Sequence, residues 1–174
     1  METPGTRYAK WVANASPHEV LSLAIRMEQG AVRTYRAMAK QASSTPSRAK
    51  FRYLAAEERE HARILAEARK RTSRPSGPRL APPPMSEVES DVEDLTPTEA
   101  VRLAIRSEHD AEAFYRLCAK RCRSTKARRM FETLAKQESG HAKALEGELK
   151  ALQGPLPWSS LEGFVPEEKD YWTA

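Results

Sequence analysis

The sequence holds only two cysteines, Cys118 and Cys122, four positions apart, and no CxxC pair occurs anywhere. A four-thiolate iron site or a zinc ribbon needs two such pairs, so neither can be built from these residues. They read as reduced thiols near a helix end. Long apolar runs are missing as well. No stretch approaches the ~20 apolar residues that span a bilayer, and the opening METPGTRYAKWV lacks the apolar segment of a secretory signal. The expectation is a cytoplasmic protein with no membrane partner. Aromatic residues are scarce where a nucleic-acid surface would want them. The net charge is +5, and Arg69 to Arg74 and Arg121 to Arg129 are locally basic. No rings interleave with these arginines as a stacking platform would require, so they read as solvated helix ends and nucleic acid is not an expected partner.

What is present points to helices. The 174 residues suffice for one domain with one core. Charged residues make up 30% of the chain and hydrophobic ones 40%, with the two signs of charge alternating rather than blocked, as on solvated helix faces.

The chain also resembles itself. Residues 16 to 70 match residues 96 to 150 at an offset of 80 without a gap, with roughly two positions in five identical. LAIRMEQGAVRTYRAMAK answers LAIRSEHDAEAFYRLCAK, and FRYLAAEEREHARIL answers FETLAKQESGHAKAL. Each copy opens with a capping box followed by proline, Ser16-Pro17-His18-Glu19 and Thr96-Pro97-Thr98-Glu99, which predicts helix starts at about 17 and 97. Apolar residues then recur at three- and four-residue spacing. A short break at 43 to 47, or 122 to 126, interrupts them, and Thr45-Pro46 reads as a cap and restart. Each copy is therefore expected to be a hairpin of two helices of about 25 residues.

Between the copies, residues 71 to 95 are rich in proline and charge, and Pro82-Pro83-Pro84 cannot be helical. A helix of 25 residues is about 38 Å long, and this linker can span it. A linker of that length favours a crossover along the bundle over the short loop of an up-and-down arrangement. The expected architecture is all-α: a four-helix bundle of two repeated antiparallel hairpins over residues 16 to 153, with an N-terminal extension at 1 to 15 and a tail at 154 to 174. The tail carries Trp158, Phe164, Tyr171 and Trp172 among prolines and acids, and is expected to pack on the bundle or on a partner chain.

The chemistry lies in a duplicated set of residues. Glu28, Tyr35, Glu58 and His61 recur as Glu108, Tyr115, Glu138 and His141. ExxH places a carboxylate and an imidazole on one helix face, within reach of one ion, and Leu54, Ala55, Ala62 and Leu65 suggest that this face points inward. In an antiparallel hairpin, residues at one height are equidistant from the turn. The midpoint between Glu28 and the 58/61 pair falls near residue 44, and that between Glu108 and the 138/141 pair near 124, each in its predicted turn. Six potential ligands thus fall in one layer. Left uncompensated in a core, their charges would cost several kcal/mol per ion, whereas two divalent cations cancel four carboxylates.

On these motifs the sequence resembles the rubrerythrin and bacterioferritin branch of the ferritin-like superfamily over residues 16 to 150. The resemblance implies two iron ions, with manganese also accepted, bridged by Glu58 and Glu138. Glu28 and Glu108 would be terminal ligands, and His61 and His141 would bind one ion each. Tyr35 and Tyr115 would orient a ligand carboxylate or serve as plain core tyrosines. Rubrerythrins commonly add a glutamate where this chain has Ala111, and Glu112 is one position off, as Glu57 and Glu60 are off the ligand face of their helix. His18 and His109 read as surface histidines. The implied activity is reduction of peroxide or dioxygen with electrons from an external donor, since the sequence builds no rubredoxin site of its own. Ferritin-like iron oxidation or storage, a metal-stapled structural bundle, and hydroxylation of a quinone or modified nucleoside are the rivals. A homo-oligomer is expected, and the linker is compatible with a dimer that exchanges hairpins.

Overall fold

A computed structural model describes residues 4–76, 80–83 and 92–153. The expected packing of the 154 to 174 tail lies outside the described residues. The elements are α1 (Pro4–Asn14), α2 (Pro17–Gln41), α3 (Thr45–Lys70), a 3-10 turn (Val92–Asp94), α4 (Pro97–Arg121) and α5 (Thr125–Gln153), with no strand among the described residues. The architecture is the all-α bundle of two helical hairpins that the sequence predicts.

Local chemistry sets the boundaries. Ser16 and Thr96 each accept from the backbone N–H three residues on, while Glu19 and Glu99 reach back to the cap N–H, so both capping boxes form. α3 starts differently from the expectation. Ser44 is the cap and accepts from the Ser47 N–H, so Thr45 and Pro46 already occupy the first helical turn, where proline lacks a donor that would be orphaned anyway. α1 was not foreseen. Tyr8, Trp11, Val12 and Ala15 share one face at helical spacing, and that face buries Tyr8 and Val12 against α4.

The most extensive contacts are within the hairpins α2/α3 and α4/α5. The linker leaves α3 beside the start of α2, where the Leu80 N–H donates to Glu19 (3.0 Å) and the Trp11 indole donates to the Leu80 carbonyl (3.4 Å). Farther along the chain, Val92 is buried in the cluster that holds Tyr35, Met38 and Ala39 near the other end of α2. The chain therefore crosses the length of the bundle, and α2 and α4 run antiparallel. Two apolar clusters result. One holds Tyr8, Leu21, Leu65, Phe114, Phe131 and Leu134, and the other holds Met38, Phe51, Leu54, Val101 and Leu145. The matched height of the glutamate and histidine positions in the two hairpins puts a polar layer between them. Near one end, Lys50 and Ser47 of α3 both donate to Glu148 of α5, at 2.7 and 2.5 Å.

Leu65 and Leu145 have no exposed surface and lie one on each side of the polar layer. Each Leu→Ala change is expected to cost about 2–5 kcal/mol in urea unfolding. Ser16→Ala, which removes only a cap, is expected to cost about 1 kcal/mol in the same measurement.

Candidate metal centre

The six predicted ligands come together. Glu28 (α2), Glu58 and His61 (α3), Glu108 (α4), and Glu138 and His141 (α5) are all buried, with His141 the most accessible at 7%. They form two overlapping sets, Glu28–Glu58–His61–Glu138 and Glu58–Glu108–Glu138–His141, whose donor atoms all lie within 4.8 Å of one another. The two sets are reciprocal. His61 Nδ1 lies 3.0 Å from Glu58, 3.1 Å from Glu138 and 3.7 Å from Glu28, and His141 Nδ1 lies 2.7 Å from Glu58, 3.4 Å from Glu138 and 3.6 Å from Glu108. The two imidazoles stack with centroids 5.5 Å apart and planes 16° from parallel.

Proximity here is not full hydrogen bonding. Glu58 Oε1, Glu108 Oε2, Glu138 Oε1, His61 Nε2 and His141 Nδ1 are buried without a hydrogen bond, because even the 2.7 Å approach of His141 to Glu58 is misaligned. An orphaned buried polar atom costs about 1–3 kcal/mol, more when charged. Five in one layer, all on residues of the two ligand sets, are what a site shaped for cations rather than for internal hydrogen bonds would leave. The donor set of carboxylate oxygens and imidazole nitrogens suits iron or manganese.

The electrostatics of the cluster are those of crowded carboxylates. Burial, and then the charges of the neighbouring glutamates, push Glu28 and Glu108 well above the usual carboxylate range. Glu58 and Glu138 go the other way. Burial opposes their ionisation, but contacts with His141 and His61 hold both below the ordinary value. Burial alone would lower the imidazoles. The facing carboxylates Glu138, Glu28 and Glu58 instead push His61 up to about 12, and Glu108, Glu138 and Glu58 raise His141 likewise.

Tyr35 and Tyr115 are buried and bonded across the hairpins. The Tyr35 hydroxyl donates to Glu108 and the Tyr115 hydroxyl to Glu28. The carboxylate each phenol orients belongs to the other hairpin, since antiparallel α2 and α4 bring residue 35 level with 108 and 28 level with 115. Burial, and then the charges of Glu108 and Glu58, raise the Tyr35 phenol well above its usual range, so it stays a donor.

Neighbouring acids stay out of the cluster. Glu112 accepts from Arg116 at 2.6 Å and Glu60 from Arg63 at 2.6 Å, and neither they nor Glu57 enter a ligand set. His109 is exposed beside Glu112 and Glu146, whereas His18 is half-buried and bonded to Thr72, so only the first is a plain surface histidine. Sequence reasoning missed Tyr8, which lines a small cavity of about 30 Å³ beside the four glutamates. Its helical spacing with Trp11, Val12 and Ala15 was the available signal. A much larger cleft, about 1000 Å³, opens at the basic end of the bundle around Arg71, Arg121 and Phe131, and shares no residue with the carboxylate layer.

A family model of rubrerythrin matches residues 19–89 and 99–166, most of the chain. The chain belongs to the rubrerythrin family. Among solved structures, this rubrerythrin-family chain is similar to a hypothetical protein of Pyrococcus furiosus, at 27% identity and a TM-score of 0.65, over 81% of this chain and 92% of that one. It is also similar to a Thermotoga maritima protein provisionally named a ferritin-like diiron-carboxylate protein, at 25% identity and a TM-score of 0.62, over 77% and 94%. No curated protein matches it.

In the metal-free protein both imidazoles keep protons that the unfolded chain loses near pH 6.5. A folded-state pKa raised above the unfolded one adds stability that is complete below pH 6.5 and disappears as pH rises toward 12. Glu58 and Glu138 are ionised in both states above the ordinary carboxylate range and leave that slope alone. Metal binding needs neutral imidazole and releases these protons. The metal-free melting temperature is therefore expected to fall from about pH 6.5 to about pH 9, while the increment given by added Mn²⁺ grows, as calorimetry at stepped pH will show. Separately, Tyr35→Phe and Tyr115→Phe are each expected to weaken metal binding by about tenfold or more in chelator competition, with His109→Ala unchanged.

Proposed function

We propose that this chain holds two iron ions and reduces peroxide or dioxygen with electrons from a separate donor. The observation that carries the reading is that Glu58 and Glu138 belong to both ligand sets, while Glu28 with His61, and Glu108 with His141, belong to one each. Glu58 and Glu138 would bridge the ions and the other four would terminate them. Four carboxylates match the charge of two divalent cations, which resolves the cost of burying them together. When bound, iron supplies reducing equivalents and open positions for an oxidant. The name carried by the Thermotoga maritima neighbour supports the metal.

The chain's own residues limit the chemistry. Apolar side chains on both sides of the polar layer exclude water, and the free space beside the carboxylates is only about 30 Å³. That volume suits a molecule the size of water or peroxide rather than a quinone or a nucleoside, so the hydroxylase reading is disfavoured. Reduction of one hydrogen peroxide to two waters takes two electrons and two protons. Cys118 and Cys122 cannot assemble an iron–sulfur relay, so the proposal takes its electrons from a separate donor. The hydroxyls of Tyr35 and Tyr115 donate to the terminal glutamates Glu108 and Glu28 and hold those carboxylates toward the centre. Work as a homo-oligomer in the cytoplasm belongs to the same proposal. Among the described residues no helix is long and apolar enough to cross a membrane.

Purified protein reconstituted anaerobically with ferrous iron is expected to bind about two ions per chain, and a stoichiometric amount of peroxide is expected to produce a near-ultraviolet ferric absorption within one mixing experiment. Glu58→Ala and His141→Ala should lose the signal. Oxidation by dioxygen alone, with iron accumulating far beyond that stoichiometry in a large multimer, would favour iron storage and overturn the peroxide reading.

A further inference from the structure

The glutamates do not fill the space between α2 and α4. Beside them lies the cavity of about 30 Å³, and its other walls are Tyr8, Met27, Gly30, Ala31, Ser107 and Ala111. Four of those six are small, and they leave a gap between the two helices that packing would otherwise close. Tyr8 comes from neither helix of that gap. It is carried there by α1, which packs on α4, and its ring stands edge-on to Phe114 with centroids 5.2 Å apart and planes at 70°. The ring is 1% exposed and Val12, one turn on, is 6% exposed, so α1 is seated rather than draped. Of the described residues outside the four-helix unit, Tyr8 alone lines this cavity.

We infer that Tyr8 sets the size of the molecule that can reach the carboxylate layer. Among the described residues, its ring is the bulk from outside the four-helix unit that lines the gap left by Gly30, Ala31, Ser107 and Ala111, and it restricts an incoming ligand to a few heavy atoms. The inference rests on the diiron reading above and adds to it a selector contributed by the N-terminal helix. It is a steric role: the ring, and not the hydroxyl, does the excluding. Tyr8→Phe should therefore keep the parent chain's selection of ligands by size, while Tyr8→Ala should open the site.

The test uses full-length protein loaded with iron and oxidised, with ligand binding read from visible charge-transfer absorption rather than from turnover. The probes are azide, a small linear anion, and benzoate, a carboxylate too large for the cavity. The parent protein and Tyr8→Phe are expected to bind azide and not benzoate. Tyr8→Ala should bind benzoate, and its azide association should quicken by about tenfold or more. Tyr8→Leu, which keeps α1 apolar, covers the case in which the alanine variant fails to fold, and should give an intermediate result. Iron content and melting temperature establish that each variant retains its site. Benzoate binding by the parent as tight as by Tyr8→Ala, or variants indistinguishable from the parent in both probes, would overturn the selector. Failure of peroxide to react with a parent that still selects azide over benzoate would sink the reaction and leave the selector standing. A parent that takes up no iron overturns both.

Discussion

Four carboxylates and two imidazoles confined between two apolar clusters form the constraint on which the rest of this structure depends. Such a layer destabilises a bundle unless cations or protons neutralise it. The metal-free chain does so with protons: burial and the charges of Glu58 and Glu138 push Glu28 and Glu108 toward their neutral forms, while the carboxylates that face His61 and His141 favour their charged forms. Metal ions would displace those protons, so the pH behaviour of the protein and its affinity for metal are two views of one equilibrium.

The geometry that allows this is largely helix register. Capping boxes at Ser16 and Thr96 fix where α2 and α4 begin, and the Ser44 cap fixes α3. A slip of one residue would turn each glutamate by about 100° out of the layer. The crossover makes α2 and α4 antiparallel, which is why the phenols of Tyr35 and Tyr115 serve the opposite hairpin's glutamate. Packing and site are therefore set by the same few starting points.

Much of this was legible in the residues. The spacing of Glu28 from Glu58 and His61, centred on the Ser43–Thr45 turn, placed three side chains at one height, and the offset of 80 placed the other three. Proline at 82 to 84 together with the length of the linker implied the crossover. What escaped was tertiary. Tyr8 lies outside the matched segments and has no partner residue at an offset of 80, so only its position on the folded molecule reveals that it lines the cavity. Ser44 rather than Thr45 caps α3 because Pro46 is equally acceptable in the second helical position, an ambiguity of one residue that sequence patterns leave open. The cross-hairpin tyrosine bonds needed the relative direction of α2 and α4, which no feature within one hairpin encodes.

Glu58 and Glu138 stand in both ligand sets, and each set also draws on both hairpins. Occupancy of one set would immobilise two donors of the other, so the second ion would meet a site already part-ordered by the first. On the two-ion proposal, that ordering would favour the second ion once the first is held, and would make half-loaded chains scarcer than two independent sites would give.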